Sequence, residues 1–191
     1  MRRLILASAS PRRRQLLEML GLEYELSPAD VDESAEGPPA ERVALLAGRK
    51  AAAAAKGRRE GLILGADTLV DVDGQALGKP KDEEEAARML ARLAGRWHLV
   101  HTGMCLFDAG TGKSLQKTVT AKVRMGNLSE GEICAYVRSG EPMDKAGAYA
   151  IQGLGGSLVE GIEGDYFAVM GLSLFALRAM LGEMEFGLWR P

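Results

Sequence analysis

The chain has 191 residues, of which 47% are hydrophobic and 26% charged, and its formal net charge at pH 7 is −2. This length and composition are typical of one globular domain or two small lobes, and the near-neutral charge disfavours a general nucleic-acid binder, which is usually basic. The apolar run at the N-terminus is too short for a signal peptide, and no stretch approaches the roughly 20 apolar residues of a membrane span. We therefore expect a cytoplasmic protein that forms a single domain over residues 1–191 and binds neither nucleic acid nor membrane.

The first predicted elements are a short buried strand at residues 3–7 and a helix that follows it. Ser10 is placed to cap the helix, Pro11 to be its first residue and Gly21 to end it. The three arginines at positions 12–14 start this helix, although the unpaired N–H groups of a first turn favour acidic side chains. An anionic ligand at the helix start would remove that conflict.

The next elements alternate between strands and helices. Residues 23–27 resemble a strand, and an acidic loop with prolines leads into an alanine-rich helix from about 40 to 56. Residues 62–66 predict a second buried strand, which continues to an Asp73-Gly74 turn that is typical of a hairpin.

The second half of the chain predicts two more helices, a long hairpin and a glycine-rich end. Asp82 and Ser129 each begin a helix, with a glutamate three residues later in the capping-box pattern. Residues 97–107 and 114–124 predict two long strands, and two short strands are expected around Gly164-Asp165 before a C-terminal helix. Because hairpins and strand–helix units alternate, we expect an α/β protein with a mixed sheet.

Two features resemble functional motifs without meeting their requirements. The segment "AGTGKS" resembles a phosphate-binding P-loop, but Phe107 stands where that motif needs a glycine and a strand follows Ser114, so a hairpin turn is the better interpretation. His98 and His101 lie three residues apart near a strand, and lone histidines of this kind are more often structural than catalytic.

Polar groups gather where the predicted strands end, and ligands of α/β folds favour such crevices. Ser8 follows the first strand, and Asp67 and Thr68 interrupt the apolar segment "LILGADTLV". A carboxylate there must be paired, hold a cation or serve a function, because burying an unpaired charge is costly. Lys79 and Lys81, with side chains on the same side of the extended segment "GKPKD", are its alternative salt-bridge partners.

The remaining polar candidates lie in other segments. The segment "MDKAGAYAIQG" supplies Asp144, Lys145, Tyr149 and Gln152 beside glycines, which permit close backbone approach. Together with the arginines, these groups form an anion clamp, carboxylates for a divalent cation and small polar groups for a base or sugar. These groups are typical of enzymes that act on nucleoside triphosphates, in which positioning and charge neutralisation account for most of the catalysis.

Four segments, "LASASPRRRQLLEMLG", "GADTLV", "LGKPKD" and "DKAGAYAIQGLGG", resemble the Maf family of nucleoside triphosphate pyrophosphatases. The resemblance implies an elongated mixed β-sheet with flanking helices and two lobes around a central cleft, similar to the inosine triphosphate pyrophosphatases. It also implies hydrolysis of a nucleoside triphosphate to the monophosphate and pyrophosphate with a divalent cation, Mg²⁺ or Mn²⁺, and a possible homodimer.

The resemblance also assigns roles to individual residues. It makes Asp67 the base that activates water and a metal ligand, with Glu33 as a second ligand, although a solvated acidic turn is the alternative for Glu33. The substrate-binding residues that it implies are Ser8, Arg12, Arg13, Lys50, Lys79 and Lys81. On the sequence alone, Lys50 could equally be a surface residue, and removal of Arg13 or Lys79 is expected to lower activity without unfolding the protein.

Arg12, Thr68 and Gln152 resemble the set found in relatives that act on dTTP and UTP. Two other functions stay open at this point. One is a nucleotide-binding regulator of cell division in which hydrolysis is incidental, and the other is a pyrophosphatase for modified nucleotides.

Overall fold

Seven strands form one mixed sheet in the computed structural model, which describes residues 2–188. The strands are β1 (Leu4–Leu6), β2 (Tyr24–Leu26), β3 (Leu62–Val72), β4 (Gln75–Leu77), β5 (Trp97–Asp108), β6 (Ser114–Met125) and β7 (Val159–Glu163). Their order is β2-β1-β3-β5-β6-β7, with β4 added to β3. The strands β2, β1 and β3 are parallel, and all the other pairings are antiparallel. The predicted mixed α/β fold is therefore confirmed.

Within the described residues, six α-helices flank the sheet: α1 (Pro11–Met19), α2 (Pro39–Ala55), α3 (Glu83–Leu93), α4 (Glu130–Arg138), α5 (Tyr166–Met170) and α6 (Leu174–Glu183). Ser10 occupies the N-cap position of α1 as predicted, but its side chain makes no capping hydrogen bond, whereas Asp82 and Ser129 do cap their helices. Ser129 and Glu132 form a complete capping box at α4. Asp82 accepts from the Glu85 N–H at α3, but the Glu85 carboxylate bonds the Lys81 N–H instead of closing the box. No helix in the described part of the chain is long and apolar enough to cross a membrane.

One predicted strand is wrong. The residues after Gly164 form α5 instead of the second of two short strands. The Asp165 carboxylate accepts a hydrogen bond from the Ala168 N–H, which starts the helix, and Gly171 ends it with a φ of 119°. Local capping therefore outweighs the β-propensity of the aromatic and β-branched residues in this segment.

The edge of β3 that faces away from β5 has a gap. Residues Leu62 to Leu64 pair there with β1, and Val70 to Val72 pair with β4. Between them, residues 65–69 pair with β5 on the opposite edge. The motif "GADTL" is the part of β3 that borders this gap, so its side chains lie between β1 and β4.

Helix α2 lies unusually close to the sheet because two glycines face it. A Cβ atom at Gly65 would lie 2.2 Å from the Ala47 carbonyl oxygen, and one at Gly103 would lie 2.2 Å from the Val43 carbonyl oxygen. Successive strand residues point to opposite faces, so Gly65 and Asp67 share the face that α2 covers.

Besides a smaller cluster in which α2 packs on the sheet, the described core has two large clusters, in agreement with the two expected lobes. One packs α1 and α6 against β1 and the first half of β3, through residues such as Leu16, Leu64 and Leu177. The other packs α3 and α4 against the far ends of β3, β5 and β6, through residues such as Leu90 and Val123. The gap in the β3 edge lies between them.

The two histidines on β5 are buried and hydrogen-bonded. His98 Nε2 lies 2.7 Å from the Tyr149 hydroxyl, and burial lowers the pKa of His98 to about 4. His101 lies 2.8 Å from the Thr120 hydroxyl through Nδ1 and 3.2 Å from Asp71 through Nε2. These contacts fit the structural role predicted for both residues.

Candidate active site

A cleft opens at the gap in the β3 edge, between the two core clusters. Its walls come from the end of β1, the start of α1, one face of α2, the middle of β3 and the loop before the third helix, together with residues 144–152. All but one of the predicted site residues line it. They are Ser8, Arg12, Arg13, Glu33, Lys50, Asp67, Thr68, Lys79 and Gln152.

Asp67 is paired with Lys50. The Lys50 ammonium lies 2.6 Å from Asp67 Oδ1 and 2.8 Å from Glu33 Oε1, and the Lys50 and Asp67 side chains are each 12% exposed. The predicted alternative partners, Lys79 and Lys81, do not make this contact. The hydrogen bond from Lys50 holds the pKa of Glu33 below its ordinary value. One lysine thus joins two carboxylates from different parts of the chain, and Lys50 is a cleft residue instead of a surface one.

Arg13 is a buried link between three segments. Its Nε donates to the Gly171 carbonyl at 2.8 Å, and its two terminal nitrogens donate to the Ser8 hydroxyl at 2.9 Å and the Thr68 hydroxyl at 3.2 Å. The residue is 9% exposed, and burial lowers the pKa of its guanidinium. All three hydrogen-bond partners are neutral, so its positive charge stays available to an anion in the cleft.

Because Arg13 is buried, its removal is expected to lower stability as well as activity. Arg13→Ala leaves a carbonyl and two hydroxyls without their donor, and we expect it to lower the free energy of unfolding by about 2 to 3 kcal/mol. Lys79 is exposed, so Lys79→Ala is expected to change that free energy by no more than about 0.5 kcal/mol. Urea unfolding of both variants measures the difference, and equal stabilities would contradict it. Both variants are expected to lose activity per folded molecule.

Arg12 reaches across the cleft to Asp144. Its Nη1 lies 3.3 Å from Asp144 Oδ2, and Lys145 contacts the same carboxylate. Burial raises the pKa of Asp144, but Lys145 and Arg12 outweigh it and hold the pKa below its ordinary value. The ionised carboxylate therefore anchors two cations at the cleft mouth, on opposite walls.

The Thr68 hydroxyl has a fixed orientation. Thr102 donates its only hydroxyl hydrogen to the Ala168 carbonyl at 2.7 Å, so in its 2.8 Å contact with Thr68 it must accept. Thr68 therefore donates to Thr102 and accepts from Arg13. Its remaining lone pair can only accept a hydrogen bond from a ligand in the cleft.

The cleft has two chemically different sides. Asp67 lies on the β3 face that α2 covers, together with Lys50. Thr68 and Val70 point to the other face, where Val100 and Tyr149 also line the cleft. The α2 side therefore suits phosphates and a cation, and the other side combines the cation Arg13 with apolar residues that suit a base.

Arg42 also lines the cleft, from α2, although no sequence motif indicates it. It stands four residues before Leu46 and eight before Lys50, and residues at this spacing share one helix face. All three line the cleft. This spacing is the sequence signal that could indicate Arg42 as a cleft residue. It is informative only when Lys50 is already known to lie in the site.

Sequence comparison agrees with this geometry. The family model described as Maf-like protein matches residues 3–184. The chain belongs to the Maf family. A protein of Moorella thermoacetica named dTTP/UTP pyrophosphatase is 49% identical over 191 residues, which cover 99% of this chain and 98% of that protein. The protein of the same name from Aquifex aeolicus is 45% identical over 184 residues and covers 96% of each chain.

Lys81 is the one predicted site residue of this Maf chain that does not line the cleft. Its side chain is exposed, and its backbone N–H donates to Glu85 at 2.8 Å. The segment between β4 and α3 is not a strand: Pro80 is buried, and Asp82 already caps the helix. Of the two lysines, Lys79 lines the cleft and Lys81 does not.

The carboxylates of this Maf chain fit a cation that is shared with a substrate. Residues 2–188 contain no group of three or more histidine, cysteine or acidic side chains that could hold a metal ion. However, Glu33 and Asp67 both contact the Lys50 ammonium group, so their carboxylates lie close together. Mg²⁺ is commonly bound by one or two carboxylates together with substrate phosphates. The two residues fit that arrangement and do not fit an all-protein cage.

Proposed function

We propose that this chain is a nucleoside triphosphate pyrophosphatase that hydrolyses dTTP and UTP to the monophosphate and pyrophosphate. The observation that carries the proposal is the buried Asp67 in the gap of the β3 edge, bound to Lys50 and surrounded by cations. The names of the relatives support the same substrates. We place the reaction in the cytoplasm, and a homodimer stays a prediction.

The cleft carries more positive than negative charge. Its cations are Arg12, Arg13, Arg42, Lys50, Lys79 and Lys145, and its acids are Glu33, Asp67 and Asp144. A triphosphate neutralises this excess, and the N–H groups at the start of α1 add further anion-binding groups. An anion at this position also explains why arginines start α1 against the preference of the helix dipole.

Asp67 is proposed as the general base. Its carboxylate takes a proton from a water molecule while the water oxygen forms a bond to the α-phosphorus. The bond between that phosphorus and the bridging oxygen of the β-phosphate breaks, and pyrophosphate leaves with the electron pair. Lys50, which holds Asp67 in place, also lies where it can donate to a phosphate oxygen.

Glu33 and Asp67 are proposed to hold the divalent cation, either Mg²⁺ or Mn²⁺. When bound, such a cation neutralises charge that develops on the phosphate oxygens. Ser8 and Arg13, on the other side of β3, orient the substrate through their linked hydrogen bonds.

The products test the proposal. We expect wild-type protein with dTTP or UTP to release monophosphate and pyrophosphate in equal amounts, because the cations can hold the whole triphosphate tail around Asp67. A panel of common nucleotides with separate detection of orthophosphate and pyrophosphate measures this. Release of orthophosphate and diphosphate would overturn the proposed cleavage position. Tight triphosphate binding with negligible turnover would favour the regulator of cell division instead.

A further inference from the structure

The Nε atom of the cleft cation Arg42 has no acceptor in the part of the chain that the structure describes. This atom is buried, and the cleft acids Glu33 and Asp67 pair with Lys50 instead. A buried N–H group without an acceptor costs free energy. A ligand that brings an acceptor to Arg42 would remove this cost, and the residue faces the cleft in which such a ligand would bind.

The position of Arg42 indicates which part of a ligand it meets. Helix α2 covers the β3 face that carries Asp67, as the contacts of Gly65 and Gly103 show. The apolar wall proposed for the base, with Val70 and Val100, lies on the opposite face. Arg42 is therefore on the phosphate side of the cleft.

The spacing of Arg42, Leu46 and Lys50 along α2 indicates which phosphates Arg42 meets. Arg42 stands eight residues before Lys50, which corresponds to about 12 Å of helix rise, with the apolar Leu46 between them. Lys50 contacts Asp67 and so marks the reacting end. Arg42 lies farther along the same helix, so it suits the β- and γ-phosphates, which follow the reacting α-phosphate.

We propose that Arg42 binds the two terminal phosphates of the nucleotide, the part that leaves as pyrophosphate. The inference rests on the proposed function and adds a residue that neither the motifs nor the family resemblance assigned. Guanidinium groups suit this role because they donate to phosphate oxygens in a planar, bidentate geometry.

Calorimetric titration of inorganic pyrophosphate and of dTMP, each with Mg²⁺, tests the proposal. The proteins are wild type, Arg42→Gln, Arg42→Lys and the control Arg88→Gln, which removes an exposed arginine of α3. We expect Arg42→Gln to raise the Kd of pyrophosphate by about 10- to 100-fold and to leave that of dTMP unchanged. Arg42→Lys is expected to lie between Arg42→Gln and wild type because it keeps the charge but loses the planar fork. The control is expected to match wild type.

Three outcomes would overturn the inference. They are equal pyrophosphate affinity in wild type and Arg42→Gln, a shift in dTMP affinity as large as that for pyrophosphate, and no pyrophosphate binding by wild type. Circular dichroism of each variant checks that it is folded.

Hydrolysis of dTTP by wild type is measured separately. Turnover without an Arg42 effect overturns this inference alone. An Arg42 effect on pyrophosphate without turnover overturns the proposed function and leaves Arg42 as a pyrophosphate-binding residue.

Discussion

Asp67→Asn is expected to lower the rate of dTTP hydrolysis by about 10²- to 10⁴-fold, the usual cost of losing a general base. The substitution keeps the shape of the side chain, and its amide oxygen can still accept from Lys50, which contacts Asp67 Oδ1 at 2.6 Å. What is lost is the negative charge and the ability to take a proton from water. Nucleotide binding is expected to persist, because it depends mainly on the arginines and lysines of the cleft.

Asp144→Asn is the matched control for this experiment. It makes the same chemical change in the same cleft, at a carboxylate that contacts Arg12 and Lys145 but lies away from Lys50. We expect its rate to stay within about tenfold of wild type, since a cation anchor is weakened but no proton acceptor is removed. Steady-state rates of dTTP hydrolysis, with circular dichroism to check folding, separate the two variants. A folded Asp67→Asn protein with a near wild-type rate would contradict the assignment and leave Asp67 as a structural partner of Lys50.

The elements with local signals could be predicted from the sequence. Helix α4 has its capping box within four residues, and the β5–β6 hairpin has its glycine turn between two long alternating strands. The strand expected after Gly164 was wrong because the aromatic and β-branched residues favour a strand, whereas the hydrogen bond from the Ala168 N–H to Asp165 decides for a helix. Local propensity and capping conflicted there, and the cap prevailed.

The site residues could be named from the motifs, but their contacts could not. Asp67 needed a partner, and the sequence offered the nearby lysines at 79 and 81. The partner is Lys50, because α2 crosses β3 at Gly65 and carries that lysine over the carboxylate. Such a crossing depends on the packing of distant segments. For the same reason, the sequence did not reveal that Arg13 is buried against Gly171 or that Arg42 faces the cleft.

We also expect a large difference in the rates with different nucleotides, and the fixed orientation of the Thr68 hydroxyl is expected to contribute to it. The hydroxyl can only accept from a ligand, because its hydrogen is donated to Thr102. Uracil and thymine carry an N3–H donor, whereas the N3 atom of cytosine is an acceptor. Placed at the N3 position of the base, the Thr68 hydroxyl would thus favour dTTP and UTP over CTP. A site that leaves polar groups unpaired can reject the wrong partner by several orders of magnitude.

Gln152 is expected to contribute differently. It lines the cleft, and its amide carries a donor and an acceptor that can exchange places by rotation, so it can bind a uracil or a cytosine edge. We therefore expect Gln152→Ala to lower kcat/KM for dTTP and UTP by about 10- to 100-fold. The ratio of UTP to CTP should stay near the wild-type value, because Thr68 still sets it. Rates with ATP and GTP, which are expected to be poor substrates of the wild type, should change little.

The measurement is kcat/KM for dTTP, UTP, CTP, ATP and GTP with wild type, Gln152→Ala and the control Gln15→Ala, which removes an exposed glutamine of α1. The control is expected to match wild type on every nucleotide. If wild type hydrolyses CTP as fast as UTP, the orientation of Thr68 does not select the base. If purine triphosphates react faster than dTTP and UTP, the pyrimidine preference is wrong, while cleavage at the α-phosphorus can still hold.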